Sequence, residues 1–163
     1  MMAEARTAAP IAIDCLVEAG AWPEEEELQA FAERAIAAAS SCVKGPSAAA
    51  LTILFTDDAH MQMLNGRFRG KDSPTNVLSF PAAAGLSPLQ EPHHLGDLAL
   101  GFETVFRESE DEGKPFDHHL SHLLIHGFLH LLGYDHVTPE QAEKMESLEK
   151  QALKSLAISD PYA

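Results

Sequence analysis

The sequence is poor in cysteine, in long apolar runs and in positive charge. Its two cysteines, Cys15 and Cys42, are too few for a disulfide framework, and neither has the near neighbour that a CxxC site needs. No stretch approaches the roughly 20 apolar residues of a membrane-spanning helix. Residues Met1 to Ala9 lack the basic and apolar segments of a signal peptide. These absences predict free thiols in a reducing compartment and hence a cytoplasmic protein.

The shortage of positive charge limits how the chain can meet nucleic acid. Eleven Lys and Arg oppose 25 Asp and Glu, which gives a formal net charge of −14. Nucleic-acid binders are usually basic, because neutralised phosphates supply much of their affinity. The exception is Ala59 to Lys71, a stretch without acids in which Arg67, Arg69 and Lys71 fall within five positions. Any contact with RNA is therefore expected to be local, and to lie here.

Apolar spacing and turn residues predict strands that alternate with helices. Strands are expected at Ile11–Val17, Ala48–Phe55, Thr75–Phe80 and Leu95–Phe102. Helices are expected after Pro23, from an N-cap at Thr56 to about Asn65-Gly66, after Phe102 to about Glu112, from an N-cap at Asp117 to Leu132, and after the capping box of Thr138 and Gln141. An exposed loop is expected over Ala82–His94. The pattern predicts one domain over residues 1–163 of the α/β (α+β) class, with one small mixed sheet packed against about five helices.

Histidine is concentrated in one segment. Six of the nine histidines lie between His118 and His136. His126 and His130 are one helical turn apart, so their Cβ atoms are about 5–6 Å apart on one face. Gly133 then permits a sharp turn that returns His136 toward them. Three neutral nitrogen ligands with an open fourth position are typical of a catalytic zinc site, whereas a structural site usually adds a cysteine.

The remaining histidines of this helix have a simpler explanation. Residues 118, 122, 126 and 130 are all spaced by four, so periodicity alone does not choose the ligands. Only the last two are close in sequence to the turn at Gly133. We therefore expect His118, His119 and His122 to be hydrogen-bonded core residues. Three imidazoles suit zinc, but also copper, iron or nickel.

A zinc peptidase and a non-catalytic metal-binding protein are two functions compatible with this histidine spacing. Zinc peptidases have the same His-x-x-x-His-x-x-Gly-x-x-His pattern, with a glutamate after the first histidine as general base. Here that position is Gly127, so a zinc peptidase is the second candidate. The third is a non-catalytic assembly factor that holds the metal structurally and acts by binding partners.

Three blocks of sequence resemble the YbeY family of bacterial ribosomal RNA maturation endoribonucleases. The first is HGFLHLLGYDH, from His126 to His136. The second is LNGRFRGKD at 64–72 followed by PTNVLSFP at 74–81, and the third is LGDLAL at 95–100. The resemblance extends over roughly Leu51 to Val137.

The resemblance implies a single-domain mixed α/β fold like that of metal hydrolases, together with a site and a role. It implies that His126, His130 and His136 hold one zinc ion, and that Arg69 is critical for function. It also implies cleavage of single-stranded RNA in small-subunit ribosomal RNA processing. The expected partners are small-subunit ribosomal proteins and a ribosome-assembly GTPase.

These residues suggest a mechanism. Zinc activates water and polarises a phosphoryl oxygen. We expect the Arg69 guanidinium to stabilise the transition-state charge, since it presents fixed paired donors. Arg67 and Lys71 are expected to grip flanking phosphates, although solvated surface charge explains them equally well.

No carboxylate is an obvious general base. Asp135 either orients a ligand imidazole or caps the turn. Asp97 is a weaker candidate for lining the cleft.

Overall fold

The computed structural model describes residues 11–43, 49–82 and 93–162. The segment Met1 to Ala9 and most of the loop expected over Ala82–His94 therefore lie outside the described residues. The strands are β1 Ala12–Val17, β2 Ala49–Thr56, β3 Val77–Pro81 and β4 His93–Gly101. The helices are α1 Glu25–Ser40, α2 Asp58–Arg69, α3 Phe102–Asp111, α4 Phe116–Leu131 and α5 Pro139–Ser155.

The four strands form one mixed sheet in the order β1-β2-β4-β3. Strand β2 lies between β1 and β4 and is parallel to both, whereas β3 pairs antiparallel with β4. Among the strands that the structure describes, β3 is therefore at an edge of the sheet. The predicted α/β class with a small mixed sheet is confirmed.

The sheet has helices on both faces. Helices α1, α4 and α5 share the larger apolar core with Leu98 and Leu100 of β4. Helix α2 covers the opposite face, where Met61 packs with Ala99. Because successive strand residues face opposite sides, Leu98 and Ala99 belong to different cores. Within the described part of the chain, no helix combines the length and hydrophobicity needed to span a membrane.

Helix α2 continues past its predicted end. Asn65-Gly66 is typical of a helix terminus, but the side chain of Asn65 is buried and donates to the carbonyl of Ser73 at 2.9 Å. The helix ends instead at Arg69, with Gly70 in the left-handed conformation at φ 71°. The expected end near Asn65-Gly66 was therefore wrong, and the basic residues lie in the last helical turn.

Two predicted N-caps were also wrong. Helix α2 is capped by Asp57, whose side chain accepts from the amide of His60 at 2.9 Å. The hydroxyl of Thr56 donates instead to Glu18 at 2.8 Å. Helix α4 begins at Phe116, one residue before the expected cap. The capping box of α5 is present as predicted.

Candidate metal centre

Three histidines converge where α4 ends. His126 and His130 lie one turn apart on α4, and Gly133, at φ 101°, turns the chain so that His136 returns beside them. The ring centroids are 4.6 Å apart for His126 and His130, and 5.1 and 5.6 Å from His136 to His130 and His126. One nitrogen of each ring lies within 4.8 Å of the other two. These are the three residues that the sequence pattern brought together.

The cluster has the chemistry of a metal site. Nε2 of His126 is 3.1 Å from Nε2 of His130, so two rings present nitrogens to the same space. Burial and the neighbouring His126 and His136 lower the pKa of His130, which favours the neutral form that a metal requires. Among the described residues, no fourth His, Cys, Asp or Glu joins this group. Three neutral nitrogens without a fourth side chain fit a zinc site with an open position.

A buried carboxylate lies behind the cluster. Glu149 of α5 is 1% exposed and accepts from Nδ1 of His126 at 2.9 Å, from Nε2 of His122 at 2.6 Å and from the hydroxyl of Tyr162 at 2.6 Å. Burial alone would raise the pKa of Glu149, but these hydrogen bonds outweigh it and lower the pKa to about 2. Burial and Glu149 raise the pKa of Tyr162, so that its hydroxyl stays a donor. An ionised Glu149 holds the proton of His126 on Nδ1 and leaves Nε2 free to face His130.

Glu149 and Tyr162 were not predicted. Glu149 follows Met145 by four residues and precedes Ala152 by three, so an acid lies within the buried face of α5. An acid on a buried helix face was the sequence signal that could have identified Glu149, because buried carboxylates need hydrogen-bond or ionic partners. Nothing in the local sequence pointed to Tyr162.

A second group of potential ligands lies beside the first. One atom each of His122, His126 and Glu149 also lies within 4.8 Å of the others. These three residues are already joined by the hydrogen bonds to Glu149, at 2.6 and 2.9 Å. We therefore interpret this group as the support of His126 rather than as a separate metal site.

Among the described residues, His119 and His122 have the expected hydrogen bonds, whereas the side chain of His118 has none. His119 is 5% exposed, and its Nε2 is 2.8 Å from Glu108 Oε1. The Nδ1 atoms of His119 and His122 are buried without a partner among the described residues. His118 is half-buried and belongs to neither group of potential ligands.

A cavity of about 960 Å³ opens in front of the histidines. Its wall includes all three members of the cluster together with Arg69, Lys71 and Ser79. Arg69 donates from Nη2 to the carbonyl of Ser79 on β3 at 2.6 Å. Arg67 is not among the lining residues; it is exposed, and its guanidinium carbon lies 5.7 Å from the centroid of Phe68.

The two aspartates named from the sequence lie in different environments. Asp135 lines the cavity and accepts from the amide of His136 at 2.8 Å, but is 4.0 Å from Nδ1 of that ring. It therefore caps the turn. Asp97 is 56% exposed in its side chain and 3.5 Å from His94. The expectation that Asp97 lines the cleft was wrong, because its neighbour Leu98 is the residue that faces α4.

Gly127 packs directly against the sheet. A Cβ atom there would be 2.9 Å from Cδ2 of Leu98 and 3.4 Å from Oγ of Ser79. Leu98 is fully buried, so it has little room to move. The position at which a peptidase carries its glutamate therefore faces the core of this protein and not the cavity.

Comparison with known proteins places the chain in a family. A family model described as Endoribonuclease YbeY matches residues 17–157. The endoribonuclease YbeY of Chelativorans sp. (strain BNC1) is 56% identical over 163 residues, which cover 99% of this chain and 100% of that protein. The endoribonuclease YbeY of Rhodopseudomonas palustris (strain BisB18) is 52% identical over 157 residues, or 94% of each chain. A solution structure from Thermotoga maritima covers 94% of this chain and 99% of its own with a TM-score of 0.55 and 23% identity, a likeness in fold alone. The chain belongs to the YbeY family of endoribonucleases.

Proposed function

We propose that this endoribonuclease holds one zinc ion at His126, His130 and His136 and cleaves single-stranded RNA in the adjoining cavity. As a member of the YbeY family it hydrolyses RNA phosphodiester bonds and acts in ribosomal RNA processing. The observation that carries the proposed site is the set of three imidazole nitrogens within 4.8 Å of one another at the cavity wall.

The donor set favours zinc among the metals. Imidazole nitrogens suit zinc, copper, iron and nickel, whereas magnesium and calcium prefer oxygen ligands. When bound there, zinc supplies an activated water and polarises a phosphoryl oxygen. Glu149 contributes by fixing the proton of His126 on Nδ1, which keeps the opposite nitrogen available as a ligand.

Arg69 is the proposed catalytic residue of the chain. One of its five N–H donors is used at the carbonyl of Ser79, which holds the guanidinium at the cavity wall. A fixed guanidinium is well suited to stabilise charge that develops on phosphoryl oxygens. Lys71 lines the same cavity and is proposed to contact a flanking phosphate. Arg67 lies outside this wall, so a phosphate contact there belongs to RNA beyond the cavity.

The net charge of −14 supports recruitment by partners. A chain of this charge repels polyanions except near its few basic residues. We propose that small-subunit ribosomal proteins and an assembly GTPase bring the cytoplasmic enzyme to small-subunit ribosomal RNA.

The test is cleavage of a labelled single-stranded RNA by the wild type, His126→Ala, Arg69→Ala and Arg69→Lys, with the metal content of each preparation measured. We expect His126→Ala to lose both metal and cleavage. Both arginine variants should keep the metal and lose cleavage by about a hundredfold, the order seen when one preorganised donor is removed. Unchanged cleavage by Arg69→Lys would remove Arg69 from the mechanism.

Two results would favour the other functions. Chelation-sensitive cleavage of casein would revive the peptidase, although Gly127 offers no general base. Loss of the fold on chelation, with no metal-dependent cleavage of RNA, would indicate an assembly factor with a structural metal.

A further inference from the structure

An exposed aromatic ring lies among arginines at the end of α2. Phe68 is 56% exposed in the last turn of this helix, and its ring packs edge-on against Phe80 with 5.3 Å between centroids. We call Arg67, Phe68, Arg69 and Phe80 the α2-tip surface. A single exposed apolar side chain is common on protein surfaces, but an exposed aromatic ring between guanidinium groups offers both a stacking face and positive charge.

The guanidinium groups of the α2-tip surface lie against its rings. The Cζ atom of Arg67 is 5.7 Å from the centroid of Phe68, and that of Arg69 is 5.8 Å from the centroid of Phe80. These distances are within the range of cation–π contacts. The surface is thus both aromatic and positive, in a chain whose net charge is −14.

The α2-tip surface continues the wall of the catalytic cavity. Ser79 and Phe80 are adjacent on the edge strand β3 and so face opposite sides of the sheet. Ser79 Oγ contacts the carbonyl of Gly127 on α4, whereas Phe80 packs with the core beneath α2. Arg69 spans the two sides, because it stacks on Phe80, bonds the carbonyl of Ser79 and lines the cavity. A single-stranded RNA that leaves the cavity past Arg69 therefore reaches the ring of Phe68 next.

We infer that the α2-tip surface binds the single-stranded RNA that flanks the scissile phosphate. One base stacks on the exposed ring of Phe68, and neighbouring phosphates lie at Arg67 and Arg69. The inference rests on the proposed function, since it takes the histidine cavity as the place of cleavage. Stacking on an aromatic side chain tolerates any base, so the surface gives affinity without sequence preference. It also gives Arg67, which lies outside the cavity, a phosphate to bind.

Another exposed aromatic residue of the described chain provides a matched control. Phe106 on α3 is 46% exposed and stacks on Phe102, with centroids 5.8 Å apart. Its helix carries four acids, Glu103, Glu108, Glu110 and Asp111, against the single cation Arg107. The helix is therefore net negative and repels RNA, so the two sites share an exposed aromatic ring but differ in net charge.

The experiment combines kinetics with photo-crosslinking. Steady-state cleavage of a single-stranded RNA is measured for the wild type, Phe68→Ala, Phe68→Trp and Phe106→Ala, after thermal melts have shown that each variant folds. We expect Phe68→Ala to raise KM about tenfold, within the range for loss of one base–aromatic stack, and to leave kcat unchanged. Phe68→Trp should restore KM, and Phe106→Ala should match the wild type. An RNA with 5-iodouridine at successive positions should crosslink to Phe68 from one position beside the cleavage site.

Two outcomes would overturn the inference. One is an unchanged KM for Phe68→Ala together with no crosslink to Phe68. The other is an unchanged KM of Phe68→Ala for free RNA together with weaker binding of this variant to small-subunit ribosomal proteins freed of RNA, which would make the surface a protein contact. Failure of the proposed function is distinguishable: His126→Ala would then cut as fast as the wild type, while the crosslink to Phe68 would remain.

Discussion

The two halves of α4 carry the same residue type in different roles. In the first half, His119 and His122 lie at 2.8 and 2.6 Å from the carboxylates of Glu108 and Glu149. In the second half, His126 and His130 face each other through nitrogens 3.1 Å apart. His126, in the second half, combines both roles, because its Nδ1 binds Glu149 while its Nε2 faces His130. The comparison teaches that spacing on a helix selects candidates for a metal site, whereas the partner on each ring nitrogen decides the role.

The largest expected difference between the halves is seen on removal of one imidazole. His130→Ala should lose the metal and reduce cleavage below detection, because two nitrogens alone are left at the site. Zinc affinity measured by competition with a chelating indicator, together with RNA cleavage, tests this expectation. A variant that keeps the metal at wild-type affinity would show that His130 is not a ligand.

The second expected effect concerns the carboxylate between the halves. Glu149→Gln keeps the shape of the side chain but offers one oxygen and an amide in place of two acceptor oxygens. Zinc affinity should fall tenfold to a hundredfold, the usual cost of losing the partner of a metal-binding histidine. The same indicator titration measures the change. Wild-type affinity in this variant would mean that Glu149 supports only the fold.

A smaller effect is expected from the first half of the helix. His122→Gln removes an imidazole that bonds Glu149 and not the proposed metal. Glu149 keeps its bonds from His126 and Tyr162, so zinc affinity should fall by less than about tenfold, the lower end of such support effects. A loss as large as that of His130→Ala would instead assign His122 to the metal, and the contrast between the halves would fail.

The last expected effect concerns stability and not metal binding, and it depends on pH. The pKa of Glu149 is lowered from its ordinary value of 4.5 to about 2 in the folded chain. Its ionised form therefore stabilises the fold above pH 4.5, and this contribution is lost as the pH falls from 4.5 toward 2. In metal-free protein, the difference in Tm between the wild type and Glu149→Gln should narrow over that interval. A constant difference across it would show that Glu149 has an ordinary pKa.

The family, the α/β class and the histidine cluster could be predicted because their signals are local in sequence. One helical turn and one glycine turn bring His126, His130 and His136 together, and no distant contact is needed. The carboxylate that binds His126 from behind the cluster could not be predicted in the same way. Glu149 reaches His126 only because α5 packs against α4, which helical periodicity within one segment does not reveal.

The end of α2 was mispredicted for a related reason. The Asn65-Gly66 pair has the local properties of a helix terminus, but a bond from Asn65 to Ser73, eight residues away, keeps it within the helix. As a result, the predicted helix stopped short of the basic residues, whereas the structure places Arg67 and Arg69 in its last turn.

The contact between Gly127 and Leu98 has an evolutionary consequence. In the peptidase motif with this histidine spacing, a glutamate occupies the position that Gly127 occupies here. In this fold Gly127→Glu places a Cβ atom 2.9 Å from Cδ2 of a fully buried leucine, Leu98, before the side chain can supply a base. A smaller residue at position 98 would relieve this contact, and the cavity that it leaves costs about 2–5 kcal/mol. A sequence with that smaller residue alone is therefore less stable than the present protein and still has no carboxylate at position 127.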